Sequence, residues 1–254
     1  MQGEAVALSV TYLVASLIIA YILMNKLLWR GERDWVFIGV GYMILALVFQ
    51  YLAQQVPFIV LLLGHLRNIM ELNELALSIV KSNICLVSIY MGSLAGIFQE
   101  VARYFAVKDR AMEASLYIGY GFALIDIAVA LINMAITLMM PSGLNISAPT
   151  SITMVGVISL VGLLLQPLVS FLFHPGASMI LRGMQANGHG VRGLAVTITT
   201  HAYMDSFLEY LNLAIVLGLI NYGVMLKLAL VYFASISLIP ILIFSYGLRI
   251  LRNR

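Results

Sequence analysis

Long apolar stretches, separated by short polar gaps, occupy most of the chain. A helix needs about 20 largely apolar residues to cross the hydrocarbon core of a bilayer. Seven stretches reach this size, at residues 5–25, 35–63, 84–107, 114–140, 151–181, 193–212 and 222–248. The pattern predicts an all-α fold: one domain over residues 1–254, a polytopic membrane helical bundle of about seven transmembrane helices.

Segment 64–82, between the second and third predicted spans, has a different pattern. Polar residues such as Arg67 and Glu71 alternate there with apolar residues such as Leu72 and Leu75. An apolar face opposite a polar face is typical of a helix that lies in the plane of the membrane interface. We therefore expect an interfacial amphipathic helix in this segment.

The basic residues between the spans indicate the orientation of the chain. Cytoplasmic loops carry an excess of Lys and Arg. With the N-terminus outside and the C-terminus cytoplasmic, ten basic residues face the cytoplasm and three face outward. The cytoplasmic set is Lys26, Arg30, Arg33, Lys108, Arg110, Arg182, Arg192, Arg249, Arg252 and Arg254, and the outer set is Arg67, Lys81 and Lys227.

Composition excludes several classes of protein. The chain is 62% hydrophobic and 10% charged, whereas soluble domains are about 25% charged. The lipid bilayer is thus the expected surrounding. The net charge of +3 comes from basic residues at span ends, so no nucleic acid partner is expected. The single cysteine, Cys85, excludes an intrachain disulfide, and no phosphate-binding loop or zinc motif predicts a cofactor or a bound metal.

Ionisable residues inside the predicted spans are the candidates for function. A charge at the bilayer centre costs at least about 2.5–3.5 kcal/mol, so such residues are rare and usually functional. The set is Glu100, Arg103, Asp126, His174, His201, Asp205 and Glu209.

The depths of these residues follow from the helical rise of 1.5 Å per residue. Glu100, His174 and His201 each lie eight or nine residues from the basic residue at their cytoplasmic end, or about 12–14 Å. Asp126 and Asp205 fall in a second layer at roughly 20 Å. We expect Glu100, His174 and His201 to line one cavity that opens toward the cytoplasm.

Helical spacing pairs some of these side chains. Glu100 and Arg103 are three residues apart and His201 and Asp205 four apart, so each pair shares a helix face. A charged Arg103 must reach a carboxylate, Glu100 or Asp126, or extend to the interface. A carboxylate and histidines away from water suit general base catalysis and oxyanion binding. The alternative is a set of satisfied polar groups that fix helix packing.

Four motifs resemble a known family. The string Gln99-Glu100-x-x-Arg103-Tyr104 is similar to the first motif of the YhfC branch of glutamic-type intramembrane proteases, relatives of the type II CAAX prenyl proteases. Residues 119–126 resemble the second motif of that branch, Gly-x-Gly-His-Gly-x-x-Glu. His174 matches the third motif, and His201-x-x-x-Asp205 matches the closing element.

The same pattern resembles the Aph subunit of gamma-secretase, a seven-span relative thought to be non-catalytic. The chain shares three departures from the protease pattern. Gln99 replaces the leading glutamate, Phe122 replaces the histidine of the second motif, and Gln166 stands in place of a glutamate.

The resemblance implies an intramembrane endopeptidase acting on a transmembrane or membrane-associated peptide. Glu100 would then be the general base, His174 would orient the water, and His201 and Asp205 would support the oxyanion. Arg103, Gln99 and Asp126 would have supporting roles. The second hypothesis is a non-catalytic scaffold that binds a partner membrane protein, and the third is metal or proton handling by one carboxylate and two histidines.

Overall fold

A computed structural model of the protein describes residues 33–64, 69–139 and 151–253, together with positions 11, 12, 15, 16, 18, 19 and 22, which are helical. Most of the first predicted span, residues 5–25, therefore lies outside the described residues. So do residues 65–68 of the predicted interfacial segment.

Between residues 33 and 253 the described residues form seven helices. Short turns join most of them, and residues 65–68 and 140–150, which the structure does not describe, lie between the others. These helices are α1 (Arg33–Gly64), α2 (Ile69–Ser82), α3 (Ile84–Val107), α4 (Met112–Met139), α5 (Ser151–Ala186), α6 (Gly190–Val216) and α7 (Tyr222–Arg252). The all-α class is thus confirmed.

Four helices among the described residues are long and apolar enough to cross a membrane. Their apolar stretches are Asp34–Gly64 in α1, Ile84–Val107 in α3, Met112–Ile132 in α4 and Tyr222–Arg252 in α7. An integral membrane protein follows from these lengths and compositions. Helix α6 carries Arg192, Asp205 and Glu209 within its length and is correspondingly less apolar.

The helix bounds follow the apolar stretches but extend beyond most of them. Helix α3 has the predicted bounds, whereas the helix expected over 193–212 runs over Gly190–Val216 and the one expected over 222–248 over Tyr222–Arg252. A helix satisfies its own backbone hydrogen bonds, so it continues into polar positions past the apolar stretch. Segment 64–82 contains the shorter helix α2, and its place at the membrane interface stays a prediction.

Glycines set the distances between the helices that carry the site. Gly92 and Gly96 lie on one face of α3, where an added Cβ would come within 2.2 Å of the Ser206 nitrogen and 2.9 Å of the Ala202 nitrogen in α6. Small residues let two helix backbones approach closely in membrane proteins. Because Glu100 follows Gly96 by one turn on the same face, this contact brings Glu100 against α6.

A second close contact joins α4 to α5 at the level of His174. A Cβ on Gly119 would lie 2.3 Å from the Pro175 Cα and 2.7 Å from the His174 carbonyl oxygen. Pro175 lacks an amide hydrogen and cannot bond the carbonyl of Phe171 one turn earlier, yet α5 continues through it. Gly119 in the second sequence motif therefore provides packing space beside His174.

We expect Gly119→Ala to destabilise the protein by about 1–3 kcal/mol, because the new methyl group meets backbone atoms that cannot move aside. Gly41→Ala in α1 is the matched control, since nothing lies within 4 Å of its added Cβ. Thermal denaturation of both variants in detergent measures the difference. Equal melting temperatures would show that the helices separate easily at this contact.

Candidate functional site

Six ionisable residues from four helices meet in the centre of the bundle. Helix α3 supplies Glu100 and Arg103, α4 supplies Asp126, α5 supplies His174, and α6 supplies His201 and Asp205, which together we call the central chain. The sequence names all six as candidates. The structure brings them into consecutive contact.

The Glu100 and Arg103 pair forms the middle of the central chain. Arg103 Nη1 donates to the Glu100 carboxylate, 2.9 Å from Oε1 and 3.0 Å from Oε2. Both side chains are 0% exposed. The pairing of Arg103 with a carboxylate is the arrangement expected from the sequence, and it leaves neither charge isolated in a low-dielectric interior.

His201 extends the chain from Glu100 to Asp205. His201 Nδ1 lies 2.7 Å from Glu100 Oε1, and His201 Nε2 lies 3.5 Å from Asp205 Oδ2. A carboxylate only accepts hydrogen bonds, so His201 Nδ1 carries a hydrogen and donates it to Glu100. In the neutral ring this leaves Nε2 with a free lone pair.

His174 extends the chain from Arg103 to Asp126 with the opposite polarity. Arg103 Nη2 contacts His174 Nδ1. A guanidinium only donates hydrogen bonds, so His174 Nδ1 accepts and the hydrogen of the ring is on Nε2. That nitrogen lies 3.4 Å from Asp126 Oδ2, a contact too long for a strong hydrogen bond.

Asp126 is held by two further donors on α5. Its Oδ2 accepts from Gln166 Nε2 at 2.9 Å and from Ser170 Oγ at 2.5 Å. Gln166, Ser170 and His174 are spaced by four residues and so share one face of α5. Ser170 was not predicted as a site residue from the sequence. Its position one turn before His174, on the same helix face, could have indicated it.

Phe122 and Gln99, two other positions that differ from the protease motifs, both contact polar residues in the structure. The Phe122 ring is fully buried, and its centroid lies 4.8 Å from Arg103 Cζ, within range of a cation–π interaction. Gln99 is also buried, and its Nε2 donates to Gln50 Oε1 at 3.0 Å in α1. The Phe122 ring also packs beside the His174 ring, with centroids 6.2 Å apart, whereas the Gln99 contact lies outside the central chain.

A cavity of about 410 Å³ lies beside the central chain, between helices α1 and α3 to α7. Both histidines and both aspartates of the chain line this cavity, whereas Glu100 and Arg103 do not. The expectation that Glu100 lines it is wrong. Arg103 and His201 occupy the Glu100 oxygens and bury them completely.

The cavity extends away from the basic ends of the helices. Gln54 lies toward the end of α1, Met91 near the start of α3, and Leu208 toward the end of α6. The expected opening toward the end that carries Lys108 and Arg192 is therefore wrong. On that side Val107 and Leu181, both 0% exposed, fill the space between α3 and α5.

The cavity is also lined by polar residues outside the central chain. Gln50 and Gln54 of α1 line it, as does Glu209, one turn after Asp205 on α6. Among the described residues, no group of three His, Cys, Asp or Glu side chains is arranged to hold a metal ion.

Comparison with protein-family models, curated proteins and solved structures finds no match to the chain. The resemblance to the intramembrane proteases and to the Aph subunit therefore stays an expectation from the motifs.

We expect Arg103→Met to destabilise the protein by about 3–5 kcal/mol, because it leaves a buried carboxylate without its partner. Adding Glu100→Gln to this variant should recover at least about half of the loss, since the unpaired charge is then gone. A double-mutant cycle by thermal denaturation in detergent tests the coupling. Strictly additive effects would argue against the pair.

Cysteine labelling tests which end of the bundle opens into the cavity. In a Cys85→Ser background, Leu208→Cys should react with a membrane-impermeant maleimide from one side of sealed vesicles. His189→Cys, in the exposed turn before α6, should react from the opposite side. Reaction of both from the same side would contradict the direction given above.

Proposed function

We propose that the chain is a membrane-embedded peptidase that crosses the bilayer seven times. Helices α5 and α6 pack within the same bundle as the four apolar helices, and residues 5–25 would supply the remaining span. The N-terminus is outside and the C-terminus cytoplasmic in this proposal. The concentration of basic residues at one end of the helices supports that orientation.

The observation that carries this proposal is the opposite polarity of two histidines on one cavity. In the neutral rings, the Nδ1 contacts described above leave His201 with an unprotonated Nε2 and His174 with an N–H at Nε2, and both residues line the cavity. Their ring centroids are 5.8 Å apart, and their outer contacts to Asp205 and Asp126 are long. One cavity thus offers a base for the attacking water and a hydrogen-bond donor for the oxygen of the substrate carbonyl.

In the proposed reaction, His201 Nε2 accepts a proton from water while the water oxygen attacks the peptide carbonyl carbon. The His174 N–H donates a hydrogen bond to the oxyanion that develops. His201 then returns the proton to the amide nitrogen, the C–N bond breaks, and a carboxylic acid and an amine leave.

Glu100 acts as a positioning residue in this mechanism and is not the general base. Its carboxylate lies behind His201 and holds the Nδ1 hydrogen, which fixes the tautomer and the orientation of the ring. Arg103 holds both Glu100 and His174. Asp126, in turn, lies beside the His174 Nε2 hydrogen. The substrate is a transmembrane or membrane-associated peptide that reaches the cavity.

A non-catalytic scaffold is the second candidate, and one observation favours it. Glu100 and Arg103 neutralise each other with no exposed surface, which is how a purely structural ion pair is buried. The fully buried Phe122, at the position where the protease branch carries histidine, is consistent with the same role. Such a scaffold would bind a partner membrane protein, as the resemblance to the Aph subunit implies.

We expect His201→Gln to lower peptide turnover by about 10²–10⁴-fold, because the amide cannot accept the proton from water. The amide can still donate to Glu100, so the fold should persist. His189→Gln makes the same change at an exposed turn and should leave turnover unchanged. Turnover of a quenched transmembrane peptide in proteoliposomes is the measurement.

The opposite result supports the scaffold. In that case purified wild-type protein cleaves none of the peptides and co-purifies with a membrane protein in fixed stoichiometry. His201→Gln should then alter the yield of that complex and have no turnover to reduce.

A further inference from the structure

The cavity beside the central chain is lined by several acidic residues and, among the described residues, by no Lys or Arg. Asp126, Asp205 and Glu209 contribute three carboxylates. Arg103 lies behind the histidines and is already paired with Glu100. Carboxylates inside a membrane protein pair with cations or protons, so this space favours a positively charged occupant.

The Tyr232 hydroxyl points to such an occupant independently. Tyr232 is 7% exposed and lines the cavity. Its ring packs against Phe207 and Phe233, and its hydroxyl makes no hydrogen bond to another residue of the described part of the chain. Because Tyr232 lines the cavity, a ligand bound there can form a hydrogen bond with this hydroxyl.

The spacing of the acidic residues on α6 indicates the shape of the ligand. His201, Asp205 and Glu209 are each four residues apart and share one helix face, which faces the cavity. Asp205 and Glu209 therefore lie about 6 and 12 Å along the helix from the proposed base. An extended peptide covers these distances in roughly two to four residues at about 3.3 Å each.

We propose that this cavity binds a primary ammonium group, held between Asp205 and Glu209 with the Tyr232 hydroxyl as a further acceptor. An ammonium has three hydrogens to donate and no acceptor, which matches two carboxylates and a phenol oxygen. Tyr232 and Phe173 also line the cavity, and an aromatic ring attracts a cation placed over its face. The inference rests on the proposed function for one point, that the cavity is the substrate site.

For a peptide substrate, the ammonium belongs to a lysine roughly two to four residues from the bond that is cleaved. A free alkylamine has the same chemistry without the peptide. The cavity volume of about 410 Å³ lies in the range of small-ligand sites and admits either source.

The test measures binding of fluorescent membrane peptides to the full-length protein in nanodiscs. Three peptides differ at one position three residues from the centre, which carries lysine, norleucine or glutamate. The lysine peptide should bind at least about tenfold more tightly than norleucine, because only the ammonium pairs with the carboxylates, and the glutamate peptide should bind worst. Saturable binding of n-butylamine that competes with the lysine peptide would extend the site to free amines.

Variants locate the effect within the protein. Glu209→Gln and Asp205→Asn should each reduce the preference for lysine over norleucine, and the double variant should abolish it. Tyr232→Phe keeps the ring and should reduce the preference by a smaller factor. The matched control is Glu113→Gln, the same change on the exposed start of α4 at the other end of the bundle, which should leave the preference unchanged.

Three results would overturn the inference: equal binding of the lysine and norleucine peptides, a preference that survives the double variant, or displacement of the lysine peptide by sodium as readily as by n-butylamine. Cleavage is scored separately. Selective binding without cleavage would reject the peptidase and keep the ammonium site, whereas cleavage without charge preference would do the reverse.

Discussion

The buried Arg103 guanidinium constrains the centre of the bundle. A guanidinium keeps its charge in any protein environment and needs acceptors along its planar fork. One side of the fork meets Glu100 and the other meets His174, which ties α3 to α5. Glu100 Oε1, which Arg103 also contacts, accepts a hydrogen bond from His201 as well, and this ties α3 to α6. The tautomer of His174 follows from its contact with Arg103, and that of His201 follows from its contact with Glu100.

Much of the site could be predicted from the sequence because depth along a helix follows from counting. The rise per residue places Glu100, His174 and His201 in one layer, and the three- and four-residue spacings pair Glu100 with Arg103 and His201 with Asp205. The two pairings depend only on spacing within one helix. The common layer depends only on the distance of each residue from the basic residue at the end of its helix. The helices themselves follow from apolar length, and most of their bounds differ from the apolar stretches by a few residues.

The remaining features depend on how helices face one another, which counting does not give. The sequence places Glu100 at the depth of the histidines but does not show that His201 and Arg103 cover it. Similarly, the cavity direction depends on which end of the bundle is filled, and Val107 and Leu181 fill the basic end. Asp126 reaches His174 because Gly119 lets α4 approach α5, a contact between residues 48 positions apart.

The contact of Gly92 with Ser206 has a consequence for how a substrate reaches the histidines. Gly92 lines the cavity, and on the far side of this contact an outer groove runs between Ser88, Ile89, Tyr203 and Phe207. Ser206, the partner of Gly92 in this contact, also lines the outer groove, so the contact separates the groove from the cavity. The same pair of helices, however, carries Glu100 and His201. A peptide that parted α3 from α6 would separate the histidine from the carboxylate that orients it, so a sideways passage there would disable the site it reached.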